Sequence, residues 1–186
     1  PIAQNTKDAG KKVYHLNIGQ PDVETPECFM EAIRGYEPKV IAYAESGGLP
    51  VLQDAVIDYF KNYNMDVERG DMIITTGGSE ALTMIFTALL NEGDEVLLAE
   101  PFYTNYNTFA FMNGITLKAI PTDMKSGFQV PPIEEFEKAI TDKTKAILVC
   151  NPGNPTGTQY SKESMLALGE IARKHDLFLL SDEVYR

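Results

Sequence analysis

The sequence predicts a three-layer α/β/α fold, in which a mainly parallel sheet lies between two layers of helices. From Asp71 onward, short apolar runs alternate with helical patterns. Strands that are separated by helices are joined by crossovers, and crossovers make neighbouring strands parallel. The helical patterns are amphipathic, as helices that cover one face of a sheet must be.

The predicted strands are short apolar runs of the length that buried strands have. They are residues 72–75, 96–99, 115–120, 146–150 and 177–180. A helix is predicted over residues 161–175, where the hydroxyl of Ser161 can cap the first turn. Further upstream, an apolar stripe with helical spacing predicts a helix that packs into the core. The stripe consists of Leu52, Val56, Tyr59 and Tyr63.

The composition favours a cytoplasmic protein that binds a small molecule. The net charge of −11 comes from 27 acidic and 16 basic residues. Nucleic acids and anionic membranes attract clustered Lys and Arg, so neither is an expected partner. No apolar stretch approaches the roughly 20 residues that span a bilayer. The 2 cysteines, Cys28 and Cys150, lie far apart in the sequence, which is typical of reduced thiols. Their spacing is not that of metal ligands, so no metal site is predicted.

A polar stretch that contains glycine, residues 38–48, predicts a boundary between two parts of the chain. An N-terminal segment, residues 1–40, would precede a larger domain, residues 41–186. The chain begins without Met and stops at Arg186, directly after a strand-like run. We therefore expect the larger domain to be incomplete at its C-terminus.

The segment TTGGSEAL, residues 75–82, follows a predicted strand and begins a helix. Glycines at such a junction let backbone amides converge on an anion, and the helix adds about half a positive charge at its N-terminus. The segment therefore predicts a phosphate site. The alternative is an ordinary turn in which Ser79 is a simple N-cap. Dinucleotide and nucleoside triphosphate sites lose support, because neither G-x-G-x-x-G nor Gly-Lys-Ser/Thr is present.

Two further segments follow the ends of predicted strands, where ligands bind in doubly wound sheets. The segment EPFYTNY, residues 100–106, places the ring of Tyr103 there. A heteroaromatic ligand could stack on this ring, although an aromatic residue packed on the surface is an equal alternative. The segment NPGNPTG, residues 151–157, has two Asn-Pro steps and two glycines. It predicts a tight loop that presents the amide of Asn154 to a ligand.

The segment SDEVY, residues 181–185, places the carboxylate of Asp182 at the end of a predicted buried strand, and Tyr185 follows. An unpaired carboxylate is costly to bury, so a cationic partner is expected. No Lys or Arg of the segment supplies that partner obviously, whereas a protonated pyridine nitrogen of a ligand would.

The ordered series of these segments resembles the class I and II aminotransferases of pyridoxal-phosphate (PLP) fold type I. The resemblance extends from NIGQPD at residues 17–22, through Tyr43 and GGLP at residues 47–50, to residues 182–185. It implies the large domain of a PLP-dependent transferase, with residues 1–40 belonging to a small domain. It also implies pyridoxal 5′-phosphate as the cofactor, and an amino acid and a 2-oxo acid as the substrates.

The resemblance implies which residues would bind the cofactor's phosphate and ring. The backbone amides of Gly78, Ser79 and Glu80 would bind the phosphate. Tyr103 would stack on the pyridine ring. These roles agree with the helix N-terminus and the aromatic ring that the residues themselves predict.

The remaining implied roles concern the polar atoms of the cofactor, the substrate and a second subunit. Asn154 and Tyr185 would hydrogen-bond the 3-oxygen of the cofactor, and Asp182 would keep its ring nitrogen protonated, which makes the ring an electron sink. Gly19 and Asn154 would contact the substrate. Tyr43 would reach the phosphate site of the partner subunit, which implies a homodimer with shared active sites.

The family's lysine that forms a Schiff base with the cofactor, and its substrate-binding arginine, would both lie beyond Arg186. No catalytic residue is therefore assigned within the chain, and residues 1–186 alone are expected to be inactive. Two alternatives stay open, because a fold does not fix a reaction. One is a carbon–sulfur lyase or synthase on the same scaffold, and the other is a non-catalytic regulatory module with this fold.

Overall fold

A computed structural model describes residues 1–15 and 19–185. The chain divides into two compact units, Pro1–Ala44 and Glu45–Arg186. The predicted assignment of residues 1–40 to a small domain stays a prediction. Within the described ranges, every helix is too short or too polar to span a lipid bilayer. The first unit contains helices α1 (Ile2–Asp8) and α2 (Glu27–Arg34).

The second unit alternates helices and strands, and its four strands form one parallel sheet in the order β2-β1-β3-β4. Two short 3₁₀ turns, Arg69–Asp71 and Met124–Ser126, interrupt the connections. The helices are α3 (Pro50–Lys61), α4 (Gly78–Leu89), α5 (Asn105–Met112), α6 (Ile133–Ala139) and α7 (Lys162–Lys174). The strands are β1 (Glu95–Glu100), β2 (Thr116–Pro121), β3 (Thr144–Cys150) and β4 (Phe178–Asp182).

Each face of the sheet carries its own apolar core, which confirms the predicted three-layer fold. Side chains alternate across the faces of a strand, so β1 contributes Val96 and Leu98 to one core and Leu97 to the other. Helices α4 and α5 cover the first face with Phe86, Tyr106 and their neighbours. Helices α6 and α7 cover the second face; their buried residues are Phe136, Leu168, Ile171 and Ala172.

One predicted strand is wrong. Residues 72–75 lie outside the sheet in the part of the chain that the structure describes. A strand is stabilised by a neighbour that pairs with it along its length. Here the backbone of the segment makes loop contacts instead, in which the Ile74 N–H donates to the Gly47 carbonyl at 3.0 Å and the Met72 N–H donates to the Arg69 carbonyl at 3.5 Å. The other predicted strands are confirmed, with ends that shift by a residue or two.

Helix α3 forms where the apolar stripe predicts it, but its expected packing into the core is wrong. Leu52 is 43% exposed and Tyr59 is 45% exposed, whereas the buried residue of the helix is Gln53. The Gln53 amide donates to the Gly47 carbonyl at 3.2 Å, which ties the start of the helix to the preceding turn. Helix α7 follows its prediction, because the Ser164 N–H donates to Ser161 Oγ at 3.1 Å as an N-cap.

The sheet topology creates a crevice between β1 and β3. From β1 the chain passes through α5 on one face to β2, and from β3 it passes through α7 on the other face to β4. The two connections leave the central pair of strands in opposite directions. In open parallel sheets such a switch point leaves a gap at the carboxyl ends of the strands, where ligands bind.

Candidate functional site

A cavity of about 180 Å³ lies at the carboxyl edge of the sheet, beside the N-terminus of α4. It brings together most of the residues that the sequence assigns to the cofactor. Its walls come from α4, from the segments after β1 and β3, and from the end of β4. The lining residues are Gly78, Ser79, Leu82, Tyr103, Cys150, Asn154, Asp182, Val184 and Tyr185.

The N-terminus of α4 carries no side-chain cap. Its N-cap is Gly77, at a φ of 84° that L side chains rarely adopt, so the alternative that Ser79 is a simple N-cap is wrong. The first amides of a helix have no partner within the helix, and the first backbone bond at this end runs from the Ala81 N–H to the Gly77 carbonyl at 3.4 Å. Gly78 and Ser79 line the cavity, and backbone amides at a helix N-terminus can bind an anion, but the predicted phosphate site itself stays a prediction.

Glu80, the third residue assigned to the phosphate, is not among the described residues that line the cavity. Its carboxylate accepts the Thr76 N–H at 2.5 Å, which holds the turn before the helix. This contact does not involve the amide of Glu80, so the predicted backbone role stays a prediction.

The ring of Tyr103 is half-buried where the chain leaves β1. Asn105 Nδ2 donates to its hydroxyl at 2.7 Å, and the ring of Tyr106 packs edge-on against it, with centroids 5.4 Å apart at 88°. These contacts hold the Tyr103 ring in the wall of the cavity, where a flat ligand could stack on it.

Asn154 and Tyr185, which the resemblance assigns to one oxygen of the cofactor, lie next to each other. Asn154 Nδ2 donates to the Tyr185 hydroxyl at 2.8 Å. Because Tyr185 accepts this bond, its own proton stays available for a ligand, as does the second hydrogen of the Asn154 amide. The loop is held by its backbone, in which the Gly153 N–H donates to the Thr158 carbonyl at 2.8 Å.

The half-buried carboxylate of Asp182 has neutral partners within the protein, and the cationic partner that the sequence favours stays a prediction. Its Oδ2 accepts from the Tyr106 hydroxyl at 2.7 Å, and its Oδ1 accepts from the Val184 N–H at 3.2 Å. Burial, together with the bond to Asp182, raises the pKa of Tyr106 far above its ordinary value. The phenol therefore stays protonated at neutral pH and is the donor of its bond to Asp182.

Two titratable residues in or beside the cavity, Cys150 and Tyr106, carry no site role in the predictions. Tyr106 lies 76 positions from Asp182 along the chain, so no local pattern links them, although both belong to segments that the sequence singles out. Cys150 ends β3 in the wall of the cavity, and its thiol donates to the Pro152 carbonyl at 3.4 Å. Burial raises the pKa of Cys150, which makes it a thiol rather than a thiolate at neutral pH.

Gly19 and Tyr43 belong to the first unit, and both are exposed there. Their predicted roles toward the substrate and a partner subunit stay predictions. Asn17 and Ile18, which carry part of the resemblance, lie outside the described residues, as does Arg186.

Comparison with known proteins gives the family. The model of the aminotransferase class I and II family matches residues 11–186, so the chain belongs to the class I and II aminotransferases, which depend on pyridoxal phosphate. The fold agrees with this assignment, since a parallel sheet with covering helices is also the fold of aspartate aminotransferases.

Individual relatives are similar over nearly all of this chain. It is 39% identical to a probable aspartate/prephenate aminotransferase of Thermus aquaticus, over 95% of this chain and 46% of the relative. It is 38% identical to an asparagine–oxo-acid transaminase of Streptococcus mutans, over 98% of this chain and 47% of the relative. The chain therefore spans about half the length of the curated relatives it matches.

Solved structures of aminotransferases superimpose closely on the chain. A mutant aspartate aminotransferase of Thermus thermophilus gives a TM-score of 0.90 at 35% identity, over 98% of this chain and 48% of that one. An alanine aminotransferase of Pyrococcus furiosus gives 0.89 at 36% identity, again over 98% and 48%.

Proposed function

We propose that the protein that carries this chain is a PLP-dependent aminotransferase, which moves an amino group between an amino acid and a 2-oxo acid. One observation carries the proposal: a single cavity joins an uncapped helix N-terminus, an aromatic wall and a half-buried carboxylate. Pyridoxal phosphate combines a phosphate, a flat heteroaromatic ring and a basic ring nitrogen. The chemistry of the three walls fits these three parts.

The amides of Gly78 and Ser79 would hold the phosphate, where the helix dipole of α4 favours negative charge. Asp182 would accept a hydrogen bond from the ring nitrogen and so keep a proton on that atom. Both oxygens of Asp182 already accept one bond each, and each has a second lone pair for a ligand.

The other walls would orient the ring. Tyr103 offers one flat face, and the paired Asn154 and Tyr185 offer donors to the ring's oxygen. When bound, pyridoxal phosphate supplies an electron sink for the charge that develops at the α-carbon of the amino acid. The chain's contribution would be a pocket whose aromatic wall and carboxylate orient the ring, because such chemistry depends on orientation.

We also infer a cytoplasmic homodimer that works in amino-acid metabolism and biosynthesis, with Gly19 and Asn154 contacting the substrate and Tyr43 reaching the partner's phosphate site. The support is the family membership, together with the exposed position of Tyr43 in the first unit. Both cysteines are free, in agreement with a reducing compartment.

The test is a transfer of labelled nitrogen by the protein that carries this chain. Purified protein is loaded with pyridoxal phosphate, its visible absorbance is recorded, and ¹⁵N-labelled amino acids are supplied with a 2-oxo acid acceptor. We expect cofactor absorbance and equal amounts of a new ¹⁵N amino acid and of the 2-oxo acid derived from the donor.

The same experiment separates the alternatives. A lyase would release ammonia or a thiol product without labelling the acceptor, and a regulatory module would bind the cofactor and amino acid without turnover. Either result would overturn the proposed transamination, while the assignment of the chain to the PLP-dependent fold would stand.

A further inference from the structure

We propose that Tyr106 is a positioning residue that fixes two walls of the proposed cofactor site, the carboxylate of Asp182 and the ring of Tyr103. The inference rests on the proposed function and deepens it. Tyr106 is not among the described residues that line the cavity of about 180 Å³, so it acts through its neighbours rather than on the cofactor.

The ring of Tyr106 is immobilised in the core. It is 1% exposed and belongs to the cluster that α4, α5, β1 and β3 build on one face of the sheet. Phe102 stacks against it, with centroids 6.2 Å apart at 16°, and Tyr103 meets its edge at 5.4 Å. Because the Tyr106 ring is locked by close packing, the Tyr103 ring that rests on it is fixed as well.

The hydroxyl of Tyr106 fixes Asp182 from a second direction. The hydroxyl, on α5, donates to Oδ2 of Asp182 over 2.7 Å. The Val184 N–H, in the turn after β4, donates to Oδ1 over 3.2 Å. Two donors on different elements, one for each oxygen, define the plane of the carboxylate. The lone pairs left over then have a set direction toward the cavity.

The surroundings of the Tyr106 hydroxyl make it a hydrogen-bond donor. Burial and the bond to Asp182 raise the pKa of Tyr106, so the phenol is a donor rather than an acid that titrates. The other titratable group beside it is the Cys150 thiol, whose pKa is also raised by burial. The phenol and the thiol therefore both stay protonated at neutral pH, and Tyr106 contacts Asp182 as a fixed donor.

The experiment replaces the hydroxyl and keeps the ring. Tyr106→Phe is prepared in the protein that carries this chain, with Tyr160→Phe as the control, because Tyr160 is a partly buried tyrosine of the other core. The melting temperature without cofactor checks that both variants fold. The readouts are the pH midpoint of the bound cofactor's absorbance and the separate values of kcat and KM.

We expect Tyr106→Phe to lower kcat roughly tenfold or more, since a hydrogen bond to a charged group is removed, and to change KM less than about twofold. The absorbance midpoint should move by more than about half a pH unit, whereas Tyr160→Phe should match the parent. In an Asp182→Asn background, Tyr106→Phe should have little further effect, because two residues that act through one contact are not additive.

The outcomes separate the two proposals. If the parent binds pyridoxal phosphate and transaminates while Tyr106→Phe behaves as Tyr160→Phe does, the positioning role is wrong and the proposed function stands. If the effects of Tyr106→Phe and Asp182→Asn on kcat were fully additive in free energy, the positioning role would likewise be wrong and the proposed function would stand. If the parent binds no pyridoxal phosphate, both the proposed function and this inference fall.

Discussion

A carboxylate is useful at a binding site only if the protein can both bury it and hold it still. Asp182 meets these conditions with neutral donors, a buried phenol and a backbone N–H, rather than with a cationic side chain. A cation in this place would compete with a protonated ring nitrogen for the same negative charge. The neutral partners leave that charge for the ligand.

At the residue scale we predict that Asp182→Asn separates cofactor binding from chemistry. The uncapped N-terminus of α4 is untouched, so pyridoxal phosphate should still bind. The loss of α-deuterium from a labelled amino acid should slow by about a hundredfold or more, because the stabilising charge beside the ring is gone.

The matched control is Asp142→Asn, which neutralises an exposed carboxylate before β3, at the opposite edge of the sheet. This control should retain the parent's rate. A parent-like rate in Asp182→Asn would show that the role assigned to Asp182 is wrong.

At the scale of elements, the turn before α3 depends on a glycine. Gly48 has a φ of +109°, and an added Cβ would lie 2.5 Å from Cβ and Cγ1 of Ile74. We predict that Gly48→Ala lowers the free energy of unfolding by about 2 kcal/mol or more, through backbone strain and overpacking together. Urea unfolding of both proteins measures the loss.

Gly127→Ala serves as the control, because Gly127 also has a positive φ of +70° but no heavy atom within 4 Å of an added Cβ. This variant should lose only the strain contribution, about 1 kcal/mol. Equal losses in the two variants would contradict the packing part of the argument.

A second element, the amino end of β1, is held by a polar cluster around Glu95. Its carboxylate accepts from Thr141 Oγ1 at 2.7 Å and Thr144 Oγ1 at 3.2 Å, and Lys118 Nζ lies 3.7 Å away. The threonine bond above all, with the lysine's charge, holds the pKa of Glu95 below its usual range. The ionised form therefore stabilises the fold above the ordinary glutamate pKa, and this contribution is lost as the pH falls through the lowered folded value.

We predict that Glu95→Gln costs about 1 kcal/mol at pH 7 and much less near pH 3. The measurement is the urea midpoint of parent and variant at both pH values. The control is Glu92→Gln, which removes an exposed carboxylate just before the strand and outside the cluster around Glu95; its urea midpoint at pH 7 should match that of the parent. A cost for Glu95→Gln that is the same at both pH values would contradict the linkage.

The sequence predicts those elements whose signals are local. Asn154 and Tyr185 follow the carboxyl ends of β3 and β4, and because these strands are parallel neighbours, their ends must meet. The contact of Tyr106 with Asp182 is not local, since it depends on which face of α5 packs on the sheet. Residues 72–75 have a strand's composition, but pairing depends on a neighbour that composition cannot specify.

At the scale of the whole molecule, the proposed homodimer makes a prediction about how sites are shared. If Tyr43 reaches the phosphate site of the partner subunit, each site draws Asp182 from one chain and Tyr43 from the other. The full exposure of Tyr43 in the first unit leaves its ring open to such a contact. Tyr43→Phe should then weaken cofactor binding, and its homodimer should be poorly active at low cofactor concentration.

Mixed dimers provide the decisive measurement. Chains carrying Asp182→Asn and chains carrying Tyr43→Phe, each with a different affinity tag, are co-expressed, and the dimers that carry both tags are purified. With shared sites, one site of each mixed dimer holds both substitutions and the other holds neither, so activity at low cofactor should recover to about half of the parent value. If Tyr43 instead served its own chain's site, every site would carry one substitution. The mixed dimer would then stay as inactive as the two singly substituted homodimers.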